Sequence, residues 1–167
     1  MKTQHCEPTD VIDLVPQVLH LKKILMPTDF SPAAKQAFKY AVKFAQQFDA
    51  ELTLVHVLTP SPPSATDLAG VPAFSDKELD TAEKNLCDLV TSAREEGVTR
   101  ARSTFRVGLA THEIVEAAKE LDIDLIVIAT HGYIGWKHLC IGSTAERVVR
   151  AAPCPVFVVR EKEHEFV

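Results

Sequence analysis

A chain of 167 residues, 46% apolar and 25% charged, is long enough to bury a real core in one domain and is ordinary for a globular protein. Its net charge of −5 argues against the concentrated basic face that a nucleic-acid partner requires, yet permits the local positive potential that a single nucleotide needs. There is no continuous apolar run long enough for a membrane-spanning helix, and the N-terminal residues are acidic and proline-bearing where a signal peptide has an apolar core, so the expected location is the cytoplasm.

Residues 1–20 keep no firm period and read as an extension. Leu21–Met26 reads as the first strand and stops at Pro27. Ser31 is a good N-cap and Pro32 a good first helical residue; Ala34, Ala37, Phe38, Ala41, Val42, Ala45 and Phe48 then recur at helical steps as far as Asp49. Glu51–Leu58 is the second strand. Residues 59–74, with four prolines and Gly70, are the longest irregular connection. Ser75-x-x-Glu78 is a capping box, and the helix it opens carries Leu79, Ala82, Leu86, Leu89, Val90 and Ala93 on one face before Gly97 ends it. Arg102–Val107 is the third strand, followed by Gly108. Thr111 is expected to cap a helix running through Leu121.

Asp124 precedes Leu125–Ala129, an apolar run suited to a strand buried on both faces. Thr130 to Gly142 is a loop with glycines at 132, 135 and 142. Ser143-x-x-Glu146 reads as a second capping box, opening a helix striped by Ala145, Val148, Val149 and Ala152. Pro153 and Pro155 end it, and Val156–Val159 is the last strand. Strict β-α alternation predicts an α/β single domain over residues 21–160: an open five-stranded parallel sheet with helices on both faces, flanked by the extension and a short tail, 161–167. The pattern does not give the strand order.

The loop and helix start at 130–144 carry the chemistry. A helix start presents backbone N–H groups without intrahelical partners and the positive end of the macrodipole, and glycines let a ligand approach the backbone closely. Together they suit a phosphate. The segment resembles the C-terminal motif of the universal stress protein family, whose nucleotide-binding members carry Gly-x-x-Gly, nine residues, then Gly-Ser or Gly-Thr. Here the motif reads Ala129-Thr130-His131-Gly132, nine residues, then Gly142-Ser143. The runs Ala145-Glu146-Arg147-Val148 and Ala152-Pro153-Cys154-Pro155-Val156 are also similar, as is Pro27-Thr28-Asp29-Phe30-Ser31 after the first strand.

The resemblance implies a Rossmann-like sheet of order 3-2-1-4-5 that binds ATP, with or without Mg²⁺, as a nucleotide-responsive stress regulator rather than an enzyme, hydrolysing slowly at most. The implied nucleotide site comprises Pro27, Thr28, Asp29, Val57, Ile128, Ala129, Thr130, His131, Gly132, Gly142, Ser143 and Thr144, with Asp29 towards the ribose or base and Val57 against adenine. It also implies a homodimer pairing the last strand, Val156, Phe157, Val158 and Val159, across a two-fold axis. The bland alternatives are that Asp29 only helps cap its helix and that Val57 is an ordinary core valine. Ala129 departs from the family glycine; a methyl crowding the ligand costs about 1–3 kcal/mol, roughly a ten- to hundredfold loss of affinity. The alternative function is a dimeric interaction protein of the same fold that binds no nucleotide.

Other chemistries lack their residues. No Gly-Lys-Ser/Thr follows a glycine, no glycine fingerprint follows the first strand, and no Gly-x-Ser-x-Gly elbow occurs. A receiver-type acidic cluster is absent, since Asp29 stands alone after the first strand. His131 and His138 share a loop without carboxylate or thiolate at ligand spacing, so no metal is expected. His56 reads as a core or sheet-edge histidine. Cys6, Cys87, Cys140 and Cys154 form no Cys-x-x-Cys pair and read as incidental thiols.

Overall fold

The computed structural model describes residues 20–60, 74–130 and 142–160. The extension 1–19, most of the 59–74 connection, His131–Ile141 and the tail 161–167 lie outside the described residues. In chain order the elements are β1 (Lys23–Pro27), α1 (Pro32–Phe48), β2 (Glu51–Leu58), α2 (Asp76–Glu95), β3 (Ala101–Val107), α3 (Ala110–Glu120), β4 (Leu125–Ala129), α4 (Ser143–Ala151) and β5 (Val156–Val159). The five strands form one parallel sheet of order β3-β2-β1-β4-β5, the order that the resemblance implied.

Each face of the sheet has its own core. On one face Ile24, Met26, Leu52, Leu54 and Val127 pack beneath α1 and α2; on the other Leu25, Val55, Ile126 and Ile128 pack beneath α3 and α4. Alternate residues of each strand serve opposite faces, which is why the inner strands read as continuous apolar runs. The alanines of α1, at 33, 34, 37, 41 and 45, are buried and let that helix lie close on the sheet.

Caps fix most helix ends where local chemistry asks for them. The Ser31 hydroxyl accepts from Ala34 N–H at 3.1 Å, and Asp49 takes the left-handed conformation that closes α1. The box at Ser75 and Glu78 is complete, and its hydrogen bonds hold the Glu78 carboxyl below the usual range.

Four local expectations are corrected. β1 begins at Lys23 and includes Pro27, because Leu21 serves the core ahead of the ladder. Thr111 does not cap α3; the helix starts at Ala110 with Leu109 in the cap position and no side-chain hydrogen bond. Ser143 is the first helical residue of α4, with Gly142 as its N-cap and no side-chain cap. Val149 is 48% exposed, so the stripe of α4 narrows to Ala145 and Val148. Among the described residues no helix is long and apolar enough to cross a membrane.

Candidate functional site

The site begins where two central strands part. The ladder between β1 and β4 runs through Ile24–Leu125 and Leu25–Ile126 and goes no further. The flanking ladders continue, to Pro27–Val55 on one side and Ala129–Val159 on the other. β1 and β4 are also where the strand order reverses, the position at which open parallel sheets bind ligands. A cavity of about 480 Å³ lies there, within the range of small-molecule sites.

All the residues expected of the site line this cavity, except His131 and Gly132, which lie outside the described residues. β1 and its turn supply Pro27, Thr28 and Asp29; β2 supplies Val57; β4 and the residue after it supply Ile128, Ala129 and Thr130; the start of α4 supplies Gly142, Ser143 and Thr144. Val57, Ile128 and Ile114 give the cavity an apolar wall.

The turn after β1 is tightly specified. Thr28 N–H donates to Val55 O at 2.9 Å, and Thr28 Oγ1 accepts from Phe30 N–H at 3.0 Å. Asp29 Oδ1 accepts from Ser31 N–H at 3.0 Å, so the aspartate does help shape the helix start while it lines the cavity. Phe30 stands at φ +63°, a left-handed conformation that costs a bulky residue about 1–2 kcal/mol.

The phosphate-type element is built by tertiary contacts. Thr130 is buried; its N–H donates to Val159 O at 2.8 Å and its carbonyl accepts from Gly142 N–H, closing the neck of the intervening loop. That closure brings Gly142 to the cap position. Among the described residues no capping side chain meets the first-turn amides of α4, which have no intrahelical acceptor. Glu146 in the same turn is paired with Arg150 at 3.0 Å. The Ala129 methyl, expected to intrude on a ligand, packs against the core cluster on the α1 face even though the residue also borders the cavity.

Several lining residues were missed from the sequence: Ala34, Val55, His56, Thr59, Ala110, Ile114 and Ala145. Val55 and His56 adjoin the singled-out Val57, a signal that was available. Ala110 and Ile114 enter only because the strand order brings α3 beside the parted strands. Among the described residues no three His, Cys, Asp or Glu side chains gather as a metal site. Cys87 is exposed; Cys154 is half-buried, and burial, then the Asp124 carboxylate, pushes its thiol up, away from the reactive thiolate. Cys6 and Cys140 lie outside the described residues.

Comparison with known proteins agrees with this geometry. The model of the universal stress protein family matches residues 20–160. A universal stress protein of Methanocaldococcus jannaschii is 36% identical over 150 residues, covering 86% of this chain and 85% of that protein. The solved structure of universal stress protein UspA from Lactobacillus plantarum is similar with a TM-score of 0.75 at 30% identity, over 86% of this chain and all of that one. At 24% identity and a TM-score of 0.66, a universal stress protein from Archaeoglobus fulgidus, solved in complex with dAMP, shares the fold over 84% of this chain and 99% of its own. With the family model spanning the whole sheet and both halves of the cavity, the chain belongs to the universal stress protein family.

Proposed function

We propose that the chain binds ATP in this cavity and acts as a nucleotide-responsive stress regulator, with no more than slow hydrolysis. The observation that carries the reading is the meeting of two unlike elements across the parted strands: the carboxylate-bearing turn Pro27–Asp29 and the uncapped helix start Gly142–Thr144. The carboxylate suits sugar hydroxyls, the amides suit phosphates, and the apolar wall of Val57, Ile128 and Ile114 suits a base. The dAMP complex of the Archaeoglobus relative lends support from the same fold. The reading holds for ATP with or without Mg²⁺, which commonly binds through substrate phosphates.

The test is mass spectrometry of small molecules released by denaturing freshly purified protein, joined to calorimetric titration with ATP. Recovered ATP, ADP or AMP supports the reading. An empty pocket that gives no heat with millimolar ATP overturns it and leaves the non-nucleotide interaction protein.

We also propose a homodimer through Val156–Val159. Among the described residues β5 ends the sheet and pairs on one side only, with β4, so its other edge is the place for a second copy. Light scattering that finds only monomer at tens of micromolar refutes it.

A further inference from the structure

His56 lines the cavity, yet the nucleotide reading gives it no task. Its Nδ1 lies 2.8 Å from the carbonyl oxygen of Thr28. A carbonyl oxygen can only accept, so Nδ1 carries the hydrogen and the neutral ring is the Nδ1–H tautomer. The same imidazole sits 4.6 Å from the Phe30 ring, tilted by 36°. His56 thus grips both residues that flank Asp29: Thr28 by a hydrogen bond and Phe30 by ring contact. Phe30 holds a positive φ that its bulk disfavours, and such a conformation persists only where the surroundings impose it. Thr28 adds its own restraint by accepting the Phe30 amide.

We propose that His56 is a positioning residue of the nucleotide site, whose Nδ1–H locks the Thr28–Phe30 turn and so fixes Asp29 at the cavity wall. The part concerning the ligand rests on the nucleotide reading; the part concerning the turn does not.

The test uses the full chain with two variants. His56→Phe keeps a ring beside Phe30 and loses the donor; His56→Asn keeps an N–H near the Nδ1 position and loses the ring. Ring ¹⁵N spectra of the wild type should show Nδ1 protonated. Amide exchange of Phe30 and Ser31 should be at least tenfold faster in His56→Phe and within threefold of wild type in His56→Asn, with Leu54 and Ile126 unchanged in both. Adenosine and ATP should bind His56→Phe about tenfold more weakly, by the same factor, and His56→Asn nearly normally. An Nε2–H tautomer, unchanged Phe30 and Ser31 exchange in His56→Phe, or equal losses in the two variants overturns the proposal. If wild-type protein binds neither adenosine nor ATP while the exchange results hold, the nucleotide reading has failed and the lock on the turn stands.

Discussion

The two ends of β1 and β4 are built on opposite plans. At their amino ends a side chain ties the backbones together: Asp124 Oδ2 accepts from Lys22 N–H at 2.7 Å and Lys23 N–H at 2.9 Å, while Asp124 N–H donates to Lys23 O. Lys23 Nζ adds a hydrogen bond to Leu121 O at 3.0 Å, satisfying a carbonyl at the end of α3. At their carboxyl ends the ladder stops, a proline removes one donor, and α4 begins without a capping side chain. A side chain ties the two strands together at one end; at the other they part, and the gap is the proposed nucleotide site. One end is therefore expected to govern stability and the other affinity.

The sharpest break of that division is Asp124→Ala. It removes two hydrogen bonds to a carboxylate, one exposed and one partly buried, the partly buried one worth about 1.5–3 kcal/mol and the exposed one less. A loss of about 2–4 kcal/mol is expected in urea unfolding, with ATP affinity of the folded protein within threefold. Gly108→Ala comes next. Gly108 sits at φ +152°, and an added Cβ would lie 2.8 Å from Glu113 Oε1 and 3.0 Å from its Cγ. Strain and crowding together should cost about 1–3 kcal/mol by the same measurement. The positive φ and the Glu113 side chain account for the glycine without a ligand.

Two substitutions at the open end should do the reverse. Asp29→Ala and Gly142→Val are each expected to weaken ATP binding at least tenfold, about 1.4 kcal/mol; Gly142→Val should move stability by less than about 1 kcal/mol, while Asp29→Ala also loses the bond from Ser31 N–H, worth about 1.5–3 kcal/mol. Calorimetry and urea titration on the same preparations separate the two effects. If affinity is unchanged in both variants, the pocket has been placed wrongly.

What the sequence disclosed follows the same division. β2 was legible residue for residue, and α1 was legible with both its ends, because Ser31, Pro32 and Asp49 act on neighbours a few positions away. The capping box at Ser75 is equally local and equally legible. Ser143-x-x-Glu146 has the same spelling and no box forms, because the distant bond from Gly142 N–H to Thr130 O settles the helix start first. The cavity was legible from β1, β2, β4 and α4 through a motif resemblance; Ala110 and Ile114 were not, since their place depends on a strand order that periodicity does not encode. His56 was read as a core or sheet-edge histidine; a histidine in an apolar strand says nothing of the Thr28 carbonyl it meets in the turn after β1.

The smallest effect tests how α3 is held beside the open end. The Arg106 guanidinium, on β3, reaches two carboxylates of α3: it is hydrogen-bonded to Glu120 and lies 3.8 Å from Glu113. This holds the Glu120 carboxyl below its ordinary value of 4.5. A carboxyl whose folded pKa is depressed adds stability that is fully present above the unfolded value and is lost as pH falls through the folded one. The contribution should therefore be complete above pH of about 5 and fade below about 4.5. Glu116 is lowered in the same way, first by its hydrogen bond to Lys119, and fades over the same range. Arg106→Met removes the Glu120 contribution and leaves the Lys119–Glu116 hydrogen bond in place, so the variant should lose less stability than wild type between neutral and acid pH, the curves converging at low pH. Glu120 is solvent-exposed, so the gap at neutral pH should be small and should shrink further in high salt. Parallel curves at all pH values would mean that Arg106 acts by packing its stem, and that α3 is kept at the cavity by Ile114 and its apolar neighbours alone.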